Sequence, residues 1–386
     1  MMSKALDTRP HALSFLLPMQ IVEQGIVCPG QAGGPRAVAT FPSIAVVPGG
    51  QILAVYRVGV SKDSDRSVTE LRLSSDDGRT WSEPWSPFSD YFGGVRGSLQ
   101  VVYLTPLEDE ILACSLWVDR EAYPNQPLFN VETEGCLPMK ILVASSTDQG
   151  RTFSPWREVA VTEDVGPPSL TNPILKLPSG RLAVSIETNK PYHDRSVWRQ
   201  RVVYCYSSDG GQSWTLPQTV CQDPAATVFH WDQRAAVSPG GLLAAFSWTY
   251  DKPNNHYLPI RRHLSRDEGL TWTTDELDFA DQPSHPAVLP DGRTVLAWVD
   301  RYGSRSIRAR FALALDQVFE PSSEVTIYTA PAPAAQTTGT GEMLADMGLW
   351  SFGLPYAEAL PGGDVIVVYY AGTADCMDIR YARLTL

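Results

Sequence analysis

Hydrophobic and polar positions along this chain alternate in short blocks. An apolar, β-rich run is followed by a tight turn built on proline or glycine, and then by a second apolar run. The turns fall at Val47-Pro48-Gly49-Gly50, Thr105-Pro106-Leu107-Glu108-Asp109, Leu177-Pro178-Ser179-Gly180, Ser238-Pro239-Gly240-Gly241, Leu289-Pro290-Asp291-Gly292 and Leu360-Pro361-Gly362-Gly363. Each block has the length and punctuation of a β-hairpin, so the pattern predicts six hairpins. A second repeat runs out of phase with the first. The pattern Ser-x-Asp-x-Gly-x-(Thr/Ser)-aromatic occupies residues 74–81, 146–153, 207–214 and 265–272. Ser and Asp side chains in such a turn bond nearby backbone groups, Gly takes a positive φ, and the aromatic plugs the turn onto the domain. The box is therefore a folding device rather than a catalytic one.

Hairpins recurring every roughly sixty residues, longer than the forty to fifty typical of propeller blades, leave room for sizeable loops in each repeat. The expected fold is all-β: a six-bladed β-propeller with four-stranded antiparallel blades. The fifth box, Leu313-Ala314-Leu315-Asp316, has lost its Gly and aromatic, and the sixth repeat stops after its third strand, residues 378–386. Residues 20–27 are the spare strand. An N-terminal strand closing the last blade would cover edges that otherwise invite aggregation. The expected organisation is an N-terminal extension over 1–19 and one propeller domain over 20–386.

Strand direction assigns the ends of the ring. The hairpin turns and the boxes share one end, so the other carries the long connections, residues 117–139, 187–200, 249–262 and 336–352. Function belongs on that end, near the axis, where innermost strands start and second strands finish.

Composition narrows the partners. With 43% hydrophobic residues the chain can bury a large core, and a formal charge of −12 without any basic run argues against nucleic-acid and anionic-membrane surfaces. The six cysteines, Cys28, Cys114, Cys136, Cys205, Cys221 and Cys376, form no C-x-x-C pair, so neither a metal site nor a cofactor is expected from their spacing. The apolar piece over 11–19 contains a proline and lacks a cleavage signal. It makes a poor signal peptide, and no segment reaches the roughly eighteen apolar residues of a membrane span; the expectation is a cytoplasmic protein.

Starts of inner strands would place Thr40, Phe41, Arg96, Thr171, Asn172, Ser284 and His285 at the axis, with His230, Trp231, Asp232 and Arg234 and with Tyr356 and Glu358. Strict alternation predicts that His230, Asp232 and Arg234 share one face. Second-strand ends add Arg57, Asp119, Arg120, Glu187, Trp248, Asp300 and Arg301.

The boxes, the six hairpins and the closing strand resemble the sialidase (neuraminidase) superfamily of Asp-box propellers, over nearly the whole chain from about residue 20. The resemblance implies an arginine triad for a substrate carboxylate, a Tyr nucleophile activated by a carboxylate, and a first-blade Asp as acid/base. It assigns the Tyr to Tyr356, the first-blade Asp to Asp63 or Asp65, and the partner carboxylate to Asp232 or Glu187. Their places at inner-strand starts and second-strand ends make Arg57, Arg96, His230, Trp231, Arg234, His285, Arg301 and Glu358 the candidate sugar contacts. One motif departs: where the family has Arg-Ile-Pro, this chain has Thr40-Phe41-Pro42, and the first triad arginine is missing. The implied partner is an oligosaccharide or glycoconjugate. Three readings stand: an exo-acting glycoside hydrolase on a terminal, possibly acidic, sugar; a polysaccharide lyase acting on uronates through His230, His285 or Tyr356 with Arg234; and a non-catalytic glycan- or protein-binding propeller.

Overall fold

A computed structural model describes residues 18–331 and 347–386. Nearly all of the expected extension over 1–19, and residues 336–346 of the fourth long connection, lie outside the described residues. Four sheets stand alone. The first contains Tyr91–Phe92, Val95–Pro106, Ile111–Asp119, Met139–Ser146 and Arg157–Glu158, and the second Leu175–Lys176, Leu182–Glu187, Arg201–Ser207 and Gln218–Gln222. The third orders Val228–Val237, Leu243–Asp251, Pro259–Ser265 and Thr273–Ala280, with His256–Tyr257 added beside Leu243–Asp251. In the fourth, Gln282–Pro283 and Ala287–Val288 both pair with Thr294–Asp300, followed by Ser306–Ala312 and Val325–Thr329.

The remaining strands form one seven-stranded sheet instead of two separate blades. Phe352–Ala359, Val365–Thr373 and Cys376–Thr385 make one antiparallel meander, and Val38–Val46, Ile52–Gly59 and Val68–Ser74 make another. A parallel pairing of Val38 with Met377 joins them, because the first strand of one starts beside the last strand of the other. The arrangement is propeller-like, with four separate blades rather than the expected six. The first repeat also lacks its expected outer strand. Only the bridge Leu71–Trp85 forms there, since Pro84 and Pro87 remove backbone donors from that segment.

Gln20–Cys28 lies antiparallel on Cys376–Thr385, from Gln20 opposite Thr385 to Cys28 opposite Ile379. The N-terminal strand thus covers the edge left by the last one. Second strands such as Ile52–Gly59 and Leu182–Glu187 are buried along their whole length, which is why they read as continuous apolar runs rather than as alternations.

All four boxes share one bonding scheme. In the second, Ser146 Oγ donates to Asp148 Oδ1 at 2.7 Å, Gly150 N donates to Ser146 Oγ at 2.9 Å, and Thr152 donates to Asp148 through both N and Oγ1, at 2.9 and 2.6 Å. Those bonds, the Thr152 hydroxyl first among them, hold the Asp148 carboxylate down at about 2. Each box also docks on the preceding repeat. Gly269 has a φ of 89°, and a Cβ there would lie 2.1 Å from Tyr206 Oη of the neighbouring sheet. Register places the boxes with the hairpin turns: Val46 pairs with Ile52, Ile52 with Ser74, and Val38 with Gly59 at the opposite end. Among the described residues no helix is long and apolar enough to cross a membrane.

Removing residues 1–27 strips most of the covering strand from Cys376–Thr385 and leaves an open edge. The shortened chain is expected to melt earlier and to aggregate on heating. Melting and light scattering equal to the full chain would contradict the closing role.

Candidate functional site

Inner strands of the fold are irregular at one common level. Ladders slip between Thr40 and Ser43, between Leu99 and Val101, between Trp231 and Arg234, and between Gly353 and Tyr356. Each slip inserts one extra residue into the inner strand. Phe41, Asp232 and Leu354 take positive φ there, at 52°, 46° and 46°, a conformation costing a side-chain-bearing residue on the order of 1–3 kcal/mol. The other two inner strands break instead. Ser169 bridges Glu187 ahead of Leu175–Lys176, and Gln282–Pro283 is separated from Ala287–Val288. A bulge re-aims side chains, and here the outcome is a shared cavity of about 240 Å³ lined by Phe41, Gln100, Ser169, Thr171, Asp232, Gln282 and Leu354.

Aromatic rings make up much of the wall: Phe41, Phe129, Trp198, Trp231, Trp248 and Trp350 all face it. Trp231 stacks on Tyr250 at 5.0 Å and 21°, and Trp248 meets Trp350 at 5.8 Å, so these rings are braced behind the surface they present. The volume lies just under the roughly 300–1,000 Å³ of common ligand pockets, which suits an occupant of about one ring.

Two carboxyl groups share one side of the cavity. Asp232 accepts from Arg234 Nη2 at 3.3 Å on one oxygen and from Gln282 Nε2 on the other. Gln282 in turn accepts from Arg301 Nη2 at 3.0 Å. Glu187 accepts the backbone N–H of Gln233 at 2.9 Å and the Thr171 hydroxyl at 3.2 Å. No cation bonds it. Burial, then the nearby Asp232 charge, push the Glu187 carboxyl up to about 8, so it holds its proton at neutral pH.

The basic groups are all engaged. Arg234 gives Nη1 to Tyr103 Oη at 2.7 Å as well as Nη2 to Asp232. Arg301 donates to Phe352 O and Gln282 and lies 3.9 Å over the Trp350 ring. Arg57 donates to Gln100 and to the Lys62 carbonyl, with its guanidinium 4.7 Å over Phe41. Lys62 Nζ donates to Tyr370 Oη at 2.7 Å and to Met347 O at 2.6 Å, and burial followed by the charges of Arg301 and Arg57 drives its pKa well below the usual lysine range. Asp63, at the rim, pairs with Arg120 at 2.6 Å.

Of the residues expected from sequence, Asp63, Glu187, Trp231, Asp232 and Arg234 line the cavity together. Arg57, Arg301 and Asp65 stand behind it; Asp65 pairs with Arg120 at 3.5 Å and accepts from Asn125 N. Tyr356 does not line it. Its ring is buried behind Tyr103, stacked on His285 at 4.6 Å and 16°, and desolvation carries its hydroxyl far above the usual phenol range. His285 bonds Asn172 at 3.2 Å and belongs to the same packed axis, and Glu358, pushed up to about 7 by burial, lies next to Tyr356. Arg96 is on the outside, 2.8 Å from Asp90. His230 departs from the predicted common face. The extra residue at Asp232-Gln233 breaks alternation, and His230 instead faces His263. Lys62, Gln100, Tyr103, Trp198, Gln282, Trp350 and Tyr370 escape the sequence reading; Gln100 sits at a bulge and Gln282 at a chain break, while Trp198 and Trp350 had a signal in the long connections 187–200 and 336–352, and Lys62 as the neighbour of Asp63.

Arg234→Met leaves Tyr103 and Asp232 without their shared donor. Urea unfolding is expected to show a loss of about 3–5 kcal/mol, the range for breaking a buried pair from one side. An unchanged midpoint would show that the network does not support the site.

No protein-family model and no curated protein matches the chain. Solved structures do. A Dyadobacter fermentans protein of unknown function superposes with a TM-score of 0.74 at 21% identity, covering 96% of this chain and 100% of that one. The Hadza microbial sialidase Hz136 gives 0.64 at 16% identity, covering 93% and 68%. The intramolecular trans-sialidase from Ruminococcus gnavus gives 0.61 at 14%, covering 93% and 97%. At such identities the likeness is one of architecture, and the chain has a sialidase-like, all-β propeller fold.

Proposed function

We propose that this chain is an exo-acting glycoside hydrolase that takes one terminal sugar into the cavity. The observation carrying the reading is the pair Glu187 and Asp232: two carboxyl groups on one side of an aromatic pocket, Asp232 bonded to a guanidinium and a side-chain amide, Glu187 bonded only to a backbone N–H and a hydroxyl among the described residues and protonated at neutral pH. Breaking a glycosidic bond takes a pair of carboxyl groups, one of which can give up a proton. Glu187 gives its proton to the departing oxygen as the C–O bond breaks; one water then takes the place of the leaving group, bonds to the anomeric carbon and returns a proton to the Glu187 carboxylate. Asp232, held by Arg234 and Gln282, stabilises the positive charge that develops on the sugar ring. The Trp faces pack against the C–H surface of the ring and keep bulk water out.

The lyase reading needs His230, His285 or Tyr356 at the substrate; His285 and Tyr356 are packed behind Tyr103, and His230 faces His263 instead. A sialidase-type clamp needs guanidinium forks open to a carboxylate. Arg57, Arg234 and Arg301 spend theirs on protein partners, and where the motif has its first arginine this chain has Thr40, followed by Phe41 on the cavity wall. A neutral terminal sugar fits this site better than an acidic one. The same reading treats the seven-stranded sheet as two blades sharing a seam at Val38 and Met377, which gives a six-bladed ring around the cavity.

A panel of aryl glycosides of neutral sugars, uronates and sialic acid tests this. Turnover on a neutral member is expected. With Glu187 as acid, activity is present while the group is protonated and falls as pH rises through about 8. Glu187→Gln and Asp232→Asn should each cut kcat by at least about 100-fold, while Tyr356→Phe stays within a few-fold. Turnover surviving in both carboxyl variants, or lost selectively in Tyr356→Phe, would overturn the assignment.

A further inference from the structure

Away from the cavity, three side chains converge where the second and third separate sheets meet. Cys221 belongs to Gln218–Gln222, the outer strand of one sheet. His230 and His263 belong to Val228–Val237 and Pro259–Ser265 of the next. The thiol sulfur and one nitrogen of each ring all lie within 4.8 Å of one another. His230 is 2% exposed and His263 1%, yet His230 Nδ1 and His263 Nε2 have no hydrogen-bond partner among the described residues. Orphaned buried nitrogens are costly, and two beside a thiol call for a ligand.

The groups around the cluster suit a cation. Thr274 Oγ1 lies 2.9 Å from His263 Nδ1 and can accept its proton, which leaves the Nε2 lone pair free. Gln233 Nε2 donates to Cys221 Sγ at 3.7 Å, a bond that supports a thiolate. Gln200 grips the His230 backbone at both N and O, at 2.8 and 2.7 Å, fixing that ring. Arg261, the cation acting on all three groups, is itself tied to Glu276, and Asp223 adds a carboxylate on the His230 side.

We infer that Cys221, His230 and His263 bind one zinc ion that ties the two sheets together. Thiolate with two imidazoles is a borderline-soft donor set, and a tetrahedral zinc with bonds of roughly 2.0–2.3 Å would draw the three atoms together by up to about 1.5 Å, with water in the fourth place. Binding releases the Cys221 proton to solvent.

The full chain, freed of any histidine tag, is mixed with one equivalent of zinc chloride, gel-filtered and assayed for bound metal and melting temperature. One zinc per chain is expected, with a rise in melting temperature that a chelator reverses. Cys221→Ser should weaken zinc binding at least tenfold and abolish the thiolate-to-metal charge-transfer band seen with cobalt in the parent. No zinc retained and no change in melting would overturn the inference whether or not the variants fold. So would equal retention by Cys221→Ser and His263→Gln, or retention of copper alone.

Discussion

One extra residue in the strand Val228–Val237 decides most of what is distinctive here. With Trp231 opposite Trp248 and Arg234 opposite Phe246, Asp232 and Gln233 together face a single partner position, and Asp232 is forced to a φ of 46°. That turn delivers the Asp232 carboxylate to Arg234 and Gln282 and hands the Gln233 N–H to Glu187. It also reverses the strand's alternation, so that His230 faces the adjoining sheet while Trp231 faces the cavity. A regular strand would have placed His230, Asp232 and Arg234 on one side. The bulge separates them into two sites.

The cavity is stable because its charges are consumed internally. Burying an unpaired guanidinium or ammonium costs several kcal/mol, and each cation here has a specific acceptor: Tyr103 and Asp232 for Arg234, Phe352 O and Gln282 for Arg301, Tyr370 and Met347 O for Lys62. Such a network fixes side chains more than it recognises charge. Among the described residues no cation bonds Glu187 on the wall, so burial and then the Asp232 charge hold its proton in place.

Strand positions, box geometry and the closing N-terminal strand were legible in the sequence because they rest on local signals, Pro-Gly turns and Ser-x-Asp boxes whose chemistry acts within a few residues. The end of the ring bearing the cavity was legible as well, from strand direction alone. Which residues face inward was not. Alternation carries through a regular ladder and fails at a bulge, and Phe41, Gln100, Asp232 and Leu354 all sit at one. Tyr356, expected at the start of an inner strand and at the substrate, follows the bulge at Leu354-Pro355 and lies in the packed axis instead. The meeting of Cys221 with His230 and His263 joins two sheets, a contact to which sequence spacing gives no clue.

The protonation of Glu187 is where the account can be checked without a substrate. Infrared difference spectra between the wild-type chain and Glu187→Gln, recorded across pH, report the carboxylic-acid stretch of that one group. The account predicts a protonated carboxyl at neutral pH that ionises near pH 8. A Glu187 already ionised at pH 6 would contradict the division of labour between the two carboxyl groups.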